Sequence, residues 1–156
     1  MTPAIKLAKQ CKLDYHLHDY IHDSNTASYG LEAADKLGVD SAQVFKTLVV
    51  ASDSGALAVA IVPVHSLLNL KKMAKALQCK KVQMAEPKQV ERSTGYVLGG
   101  VSPLGQKKRL ITIIDLSAQA HATIYVSAGR RGLEIQLPPV QLANTLNARF
   151  EDIGDK

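Results

Sequence analysis

The run Val44-Phe45-Lys46-Thr47-Leu48-Val49-Val50 constrains this chain more than any other segment. Its β-branched and aromatic residues predict a strand. Successive side chains of a strand point to opposite faces, so Val44, Lys46, Leu48 and Val50 share one face and Phe45, Thr47 and Val49 the other. Both faces are largely apolar, which predicts an inner strand covered on two sides. A second apolar run, Leu57 to Pro63, follows the hairpin signal Asp53-Ser54-Gly55. At 156 residues the chain is long enough to build that cover around a sizeable core. Lys46 is the exception within the run. An ammonium there is costly to desolvate unless it meets an anion or lines a pocket. It can also sit near a strand end and snorkel to water, and the strand alone leaves both readings open.

The remaining pattern mixes helices with hairpins. Thr2 is placed to cap a helix with Pro3 at its first position. Tyr15 to Tyr20 alternates like a short strand, and a helix is expected over Gly30 to Leu37, stopped by Gly38. Ser66 is the expected cap of a helix over Leu67 to Leu77, with Leu67, Leu70, Met73, Ala74 and Leu77 on one stripe. A short strand near Val82, a helix opened by Glu86-Pro87 and a strand near Tyr96 follow. Further strands are expected at Leu110 to Leu116, Thr123 to Ala128 and Leu133 to Leu137, the last two joined by a tight turn at Gly129-Arg130-Arg131-Gly132. Pro138-Pro139 precedes a final helix, Val140 to Leu146. Such an order predicts an α+β fold, one unit over residues 1–156 without repeats or linkers.

Composition removes several classes. No apolar stretch is long enough to span a bilayer, and the start lacks the apolar core of a signal peptide. Cys11 and Cys79 form no metal or redox motif. A cytoplasmic protein with reduced thiols is expected. The net charge of +5 favours an anionic partner such as nucleic acid. Its carriers fall in three clusters, Lys71-Lys72-Lys75 with Lys80-Lys81, Lys107-Lys108-Arg109, and Arg130-Arg131. Each alone also reads as a solvated face. Aromatics make up 4% and Trp is absent, which argues against an extended base-stacking platform. Phosphate-loop, dinucleotide and serine-hydrolase signatures are missing. His16 and His18 share a strand face near His22, but no cysteine completes a zinc set, and a polar edge strand is the better reading. No metal or cofactor is expected.

The segment Gly99-Gly100-Val101-Ser102-Pro103-Leu104-Gly105 combines glycines that admit close backbone approach with a stiffening proline. Exposed N–H groups in such a loop can receive an oxyanion, and a plain tight connection fits the same residues. Together with Val44-Phe45-Lys46-Thr47 and Val126-Ser127-Ala128-Gly129-Arg130-Arg131-Gly132-Leu133, this loop resembles the YbaK family of Cys-tRNA(Pro) deacylases. The family is similar to the editing insertion of bacterial prolyl-tRNA synthetases. The resemblance covers nearly the whole chain. It implies a single domain with a mixed, barrel-like sheet, flanking helices and a cleft for the aminoacylated adenosine end of tRNA.

On that resemblance, Lys46 matches the key lysine and Thr47 a neighbour that shapes the site. Gly100 and Val101 match the loop's backbone donors, with Lys46, Gly100 and Val101 forming the catalytic set. Tyr20, Tyr29, Gly99, Ser102, Pro103, Ser127, Gly129, Arg130 and Glu134 fall at substrate-binding positions. Gln136 stands where relatives often carry Glu. The implied substrate is cysteine mischarged on tRNA(Pro), with aminoacyl-tRNA and prolyl-tRNA synthetase as partners and no role for DNA or a membrane. Editing is needed because a size difference near one methylene supports only roughly 10–200-fold discrimination. The implied chemistry is attack of the cysteine thiol on its own ester, giving a thiolactone; a lysine-bound water is the alternative. A sibling deacylase for alanine and a binding module without chemistry also fit the sequence.

Overall fold

The computed structural model describes residues 1–26 and 28–155. Five helices run over Pro3–Gln10 (α1), Tyr29–Leu37 (α2), Leu70–Leu77 (α3), Pro87–Thr94 (α4) and Pro139–Leu146 (α5). Eight strands run over His16–Asp19 (β1), Phe45–Ser52 (β2), Leu57–Pro63 (β3), Val82–Met84 (β4), Ile111–Asp115 (β5), Ile124–Arg130 (β6), Leu133–Leu137 (β7) and Arg149–Glu151 (β8). They form a five-stranded sheet, β4-β2-β3-β5-β8, and a three-stranded sheet, β1-β7-β6. The fold is α+β. One parallel bridge, Val44 to Tyr125, links the sheets, so the expected barrel-like sheet is two sheets hinged at a single point and not closed.

β2 is an inner strand because each of its faces has its own core. Phe45 and Val49 join Val59, Ile61 and Ile114 in the larger core, which also holds residues of α1, α4, α5 and the three-stranded sheet. Val50 joins Ala58, Ala60, Val62 and Ile113 against Met73 and Ala74 of α3 on the other face. A third cluster packs Ala33 and Ala34 of α2 on Val44, Val64 and Tyr125. Burial of these side chains at about 25 cal/mol per Å² is the main force holding the layers together. No helix of the described residues is long and apolar enough to cross a membrane.

Local signals place most boundaries. Thr2 accepts the Ile5 N–H at 3.3 Å and also donates to the Ala128 carbonyl at 2.5 Å, so one hydroxyl caps α1 and pins it to β6. Ser28 caps α2, and Gly38 ends it in the left-handed region. Glu86 and Gln89 form a reciprocal capping box at α4.

Two expectations fail, and one strand was not among them. α3 starts at Leu70 with Asn69 as its cap, three residues later than Ser66 and Leu67 suggest. Leu68 bridges Gly154 and the Asn69 N–H donates to Ile153, so pairing with the chain's last residues holds this segment extended and leaves Leu67 at the surface. Tyr96 is not in a strand. It follows the left-handed Gly95, and its hydroxyl donates to the Leu104 carbonyl at 2.6 Å, fixing the glycine-rich loop from behind. β8 was not expected, being three residues that pair in parallel with β5.

Asp115 anchors the C-terminal segment. Its carboxylate accepts the N–H groups of Ile153 and Gly154, each at 3.0 Å, and the Ser117 hydroxyl at 2.5 Å. Burial pushes its pKa up, but these hydrogen bonds outweigh that and hold it below the ordinary value of 3.8. A depressed carboxyl stabilises the fold above its unfolded pKa and loses that contribution as pH falls. Asp115→Ala should cost about 2–4 kcal/mol in urea unfolding at neutral pH. The gap between variant and parent should narrow below about pH 4.

Candidate active site

Past the Val44–Tyr125 bridge the two sheets diverge, and the space between them is the site. β3 pairs with β2 along Phe45 to Ala51, but β4 covers the other edge only from Val50 to Ser52. Lys46 and Thr47 therefore stand on an uncovered stretch of edge. They line a cavity of about 280 Å³ together with Tyr20, Tyr29, Gly99, Val101, Ser127 and Glu134.

Three polar groups in this cavity lack partners. Lys46 is half-buried and has no carboxylate within ion-pair distance among the described residues. Burial lowers its pKa. The Thr47 hydroxyl is shielded from solvent and unpartnered among the described residues. Glu134 is only 7% exposed. No described residue donates a hydrogen bond to its carboxylate, and burial pushes its pKa up to about 8. Tyr20 is raised to about 12 by burial, reinforced by the carboxylates of Glu134 and Glu32.

Glu32 shows what a structural carboxylate looks like in the same neighbourhood. It is equally buried, but it accepts from His22 Nδ1 at 2.8 Å, from the Asp23 N–H at 2.6 Å, and from Lys36 at 3.3 Å. Burial pushes it up, and these bonds bring it below the ordinary value of 4.5. Buried polar groups are normally satisfied, and the exceptions gather where a ligand belongs. Glu32 builds the fold, whereas Glu134 waits for a partner.

The loop and the arginines form one wall. The Arg131 guanidinium lies 4.4 Å over the Tyr29 ring and donates to the Leu98 carbonyl at 2.8 Å. Gly99 fits beneath this stack with φ of 86°; a Cβ there would run into Arg131 Nε and meet the Tyr29 ring at 2.8 Å. Only glycine combines that angle with that clearance.

Several expected site residues lie elsewhere. Gly100 spends its N–H on the Val97 carbonyl at 2.9 Å and packs on the Arg130 backbone, so it is not a free oxyanion donor. Val101 lines the cavity, and its N–H has no acceptor among the described residues. Ser102 is fully buried, with its hydroxyl accepting the Leu104 N–H. Pro103 lines a different cavity, on the far side of the loop. Gly129 backs onto Thr2 and Tyr96. Arg130 is not part of the cavity lining, and Arg131 lines it instead. Ser28, Gly30, Phe45, Leu48 and Leu98 complete the lining. His18 is spent on Gln136 at 2.8 Å and His22 on Glu32, which leaves His16 exposed on the edge strand.

The unpaired acid makes a measurable prediction. Glu134 has a pKa raised from 4.5 to about 8. A raised folded pKa favours the fold at low pH and erodes stability as pH climbs from the unfolded value toward the folded one. Glu134→Gln should therefore match the parent near about pH 4 and exceed it by a few kcal/mol near about pH 9 in denaturant titrations. Equal curves at both pH values would show that the carboxyl is solvated.

Comparison with known proteins gives the chain's family and a likeness of fold. Residues 23–145 match the aminoacyl-tRNA editing domain family. An Enterococcus faecalis protein named "Putative Cys-tRNA(Pro)/Cys-tRNA(Cys) deacylase EbsC" is 37% identical over 99% of this chain and 94% of its own length. A segment of "Proline--tRNA ligase" from Citrifermentans bemidjiense is 35% identical over 56% of this chain, and is 15% of that much longer protein. A crystal structure described as "a putative trans-editing enzyme for prolyl tRNA synthetase" superposes with a TM-score of 0.84 over 100% of this chain and 99% of that one at 20% identity, a likeness of fold. This chain belongs to the aminoacyl-tRNA editing domain family.

Proposed function

We propose that this editing domain acts in trans as a deacylase that removes cysteine from mischarged tRNA(Pro), with the substrate's own thiol as the nucleophile. The observation that carries the mechanism is the cavity's makeup: a free cation, a free loop amide and a buried acid, with no cysteine or histidine in the lining. Such a pocket is equipped to hold and polarise an ester, and among the described residues none of its hydroxyls, Tyr20, Ser28, Thr47 and Ser127, is hydrogen-bonded to Lys46 or Glu134 as a nucleophile to its base. The 37% identical relative, through its name, supports cysteine as the amino acid. The likeness to proline–tRNA ligase segments supports prolyl-tRNA synthetase as the partner that delivers the tRNA.

In this reading the thiol gives up its proton and the sulfur attacks the ester carbonyl carbon. Lys46 and the Val101 N–H oppose the charge on the carbonyl oxygen. The carbon–oxygen bond to the ribose then breaks. A thiolactone leaves, and the ribose oxygen takes up a proton. Intramolecular attack brings a large effective concentration, so the protein's work is to fold the substrate and shield it. The aliphatic and aromatic lining, Phe45, Leu48, Tyr29 and Val101, suits a small apolar side chain.

Side-by-side deacylation of cysteinyl-, alanyl- and prolyl-tRNA(Pro) tests the substrate. Cysteine should be released fast and proline hardly at all; fast alanine release with slow cysteine release would make this a deacylase of the alanine type. Seryl-tRNA(Pro) should be cleaved far more slowly than the cysteinyl ester, since a hydroxyl ionises much less readily than a thiol of pKa about 8.5. Lys46→Ala should lower kcat by roughly 10²–10³-fold with tRNA binding retained. Lys46→Arg should restore only part, because a planar fork replaces a compact ammonium. Equal loss of binding and turnover would instead mark a module that holds RNA without chemistry.

A further inference from the structure

Two of the chain's three basic clusters, far apart in sequence, come together beside the cavity. Arg131 forms the cavity wall, and the Arg130 backbone packs against Gly100 of the glycine-rich loop. That loop continues to Lys107, Lys108 and Arg109. The aliphatic stem of Lys107 lies over Gly95, where a Cβ would meet it at 3.2 Å, and the Lys107 N–H donates to the Thr94 carbonyl. Gly95 leads into Tyr96, whose ring touches Gly129, the neighbour of Arg130. Lys108 and Arg109 line the second cavity behind Pro103 and Gly105, on the same loop whose front carries Gly99 and Val101.

All five cations are exposed and none has a carboxylate within ion-pair distance among the described residues. The segments 94–110 and 116–133, which carry them, contain no acidic residue.

The third cluster differs in place, and one of its lysines is neutralised. α3 packs on Ile113 and Val62, whereas the loop's Val101 and Leu104 belong to the core of Ile114 and Ile61, on the opposite face of the five-stranded sheet. Lys72 of α3 is neutralised by Asp152 at 3.0 Å, and the hollow it lines with Lys75 and Arg149 also holds Glu151 and Asp152.

We propose that the band Arg131–Arg130–Lys107–Lys108–Arg109 is the path of the RNA strand whose 3′ end enters the cavity, its phosphodiesters tracking the outer side of the glycine-rich loop. The α3 lysines take no part. A phosphate backbone is the fitting partner because the band is uncompensated and poor in aromatic side chains. It reads charge and shape and carries no base-specific element. The inference rests on the proposed action on tRNA. It adds that the loop is read on both sides, by ester in front and by phosphates behind.

The test is the salt dependence of binding to uncharged tRNA(Pro), measured for the parent, for Lys107→Gln/Lys108→Gln/Arg109→Gln, and for Lys71→Gln/Lys72→Gln/Lys75→Gln. Each single-strand phosphate contact contributes about 0.7 to the slope of log K against log salt, so the loop variant should flatten the slope by about 2. The α3 variant should keep the parental slope. Cysteinyl-adenosine, which has the ester but no strand, should be cleaved by the loop variant at the parental rate, showing that its cavity is intact. An unchanged slope in the loop variant overturns the proposal, as does a slope lost in the α3 variant. Loss of synthetase binding with RNA binding unaltered also overturns it, marking the band as a protein interface. If the parent itself fails to cleave cysteinyl-adenosine, the cysteine reading falls, while the slopes still decide the path.

Discussion

The single bridge between Val44 and Tyr125 is the constraint on which the site depends. A chain that continued pairing β2 with β6 would close the sheets on themselves and fill the gap with backbone. Pairing stops after one bridge, so β2 keeps an open edge from Phe45 to Leu48 while its two faces stay anchored in separate cores. The open edge is rigid for that reason. Lys46 and Thr47 are held by a strand that cannot shift without disturbing both cores. This is the kind of support a preorganised site needs.

The fold and the site obey opposite rules about polar groups. Elsewhere among the described residues buried polar groups are met: Asp115 by backbone amides, Glu32 by three donors, Tyr96 by a carbonyl. In the cavity Lys46, Thr47 and Glu134 are not, and the cost is carried by the rest of the structure. Functional sites are where local consistency is expected to break, and here the break is confined to one pocket.

Much of this was legible in the sequence because local physics dominated it. The hairpin β2–β3, the caps at Thr2 and Gly38, the proline at the start of α5 and the oddity of Lys46 all follow from short-range patterns. The failures were all non-local. Residues 67–69 read as helix until the chain's end pairs with them, and β8 is too short to announce itself without its partner β5. Arg130 came from the resemblance; the cavity instead takes Arg131, four residues after Ser127 and past the point where the β6–β7 register shifts. The resemblance named Glu134, but only the structure shows that it is buried without donors.

The hydroxyl of Thr2 on the Ala128 carbonyl joins positions 126 residues apart, and α1's first residues also lie against Gly105 and Gly129. The support beside Ser127 and the glycine-rich loop is thus a contact between opposite ends of the folding problem. Closing so long a loop is entropically expensive before it is rewarded, and such contacts form late. During synthesis the first helix must wait, apolar face exposed, until β6 emerges. The chemistry of the site becomes available only when the chain has committed almost its whole length to the fold.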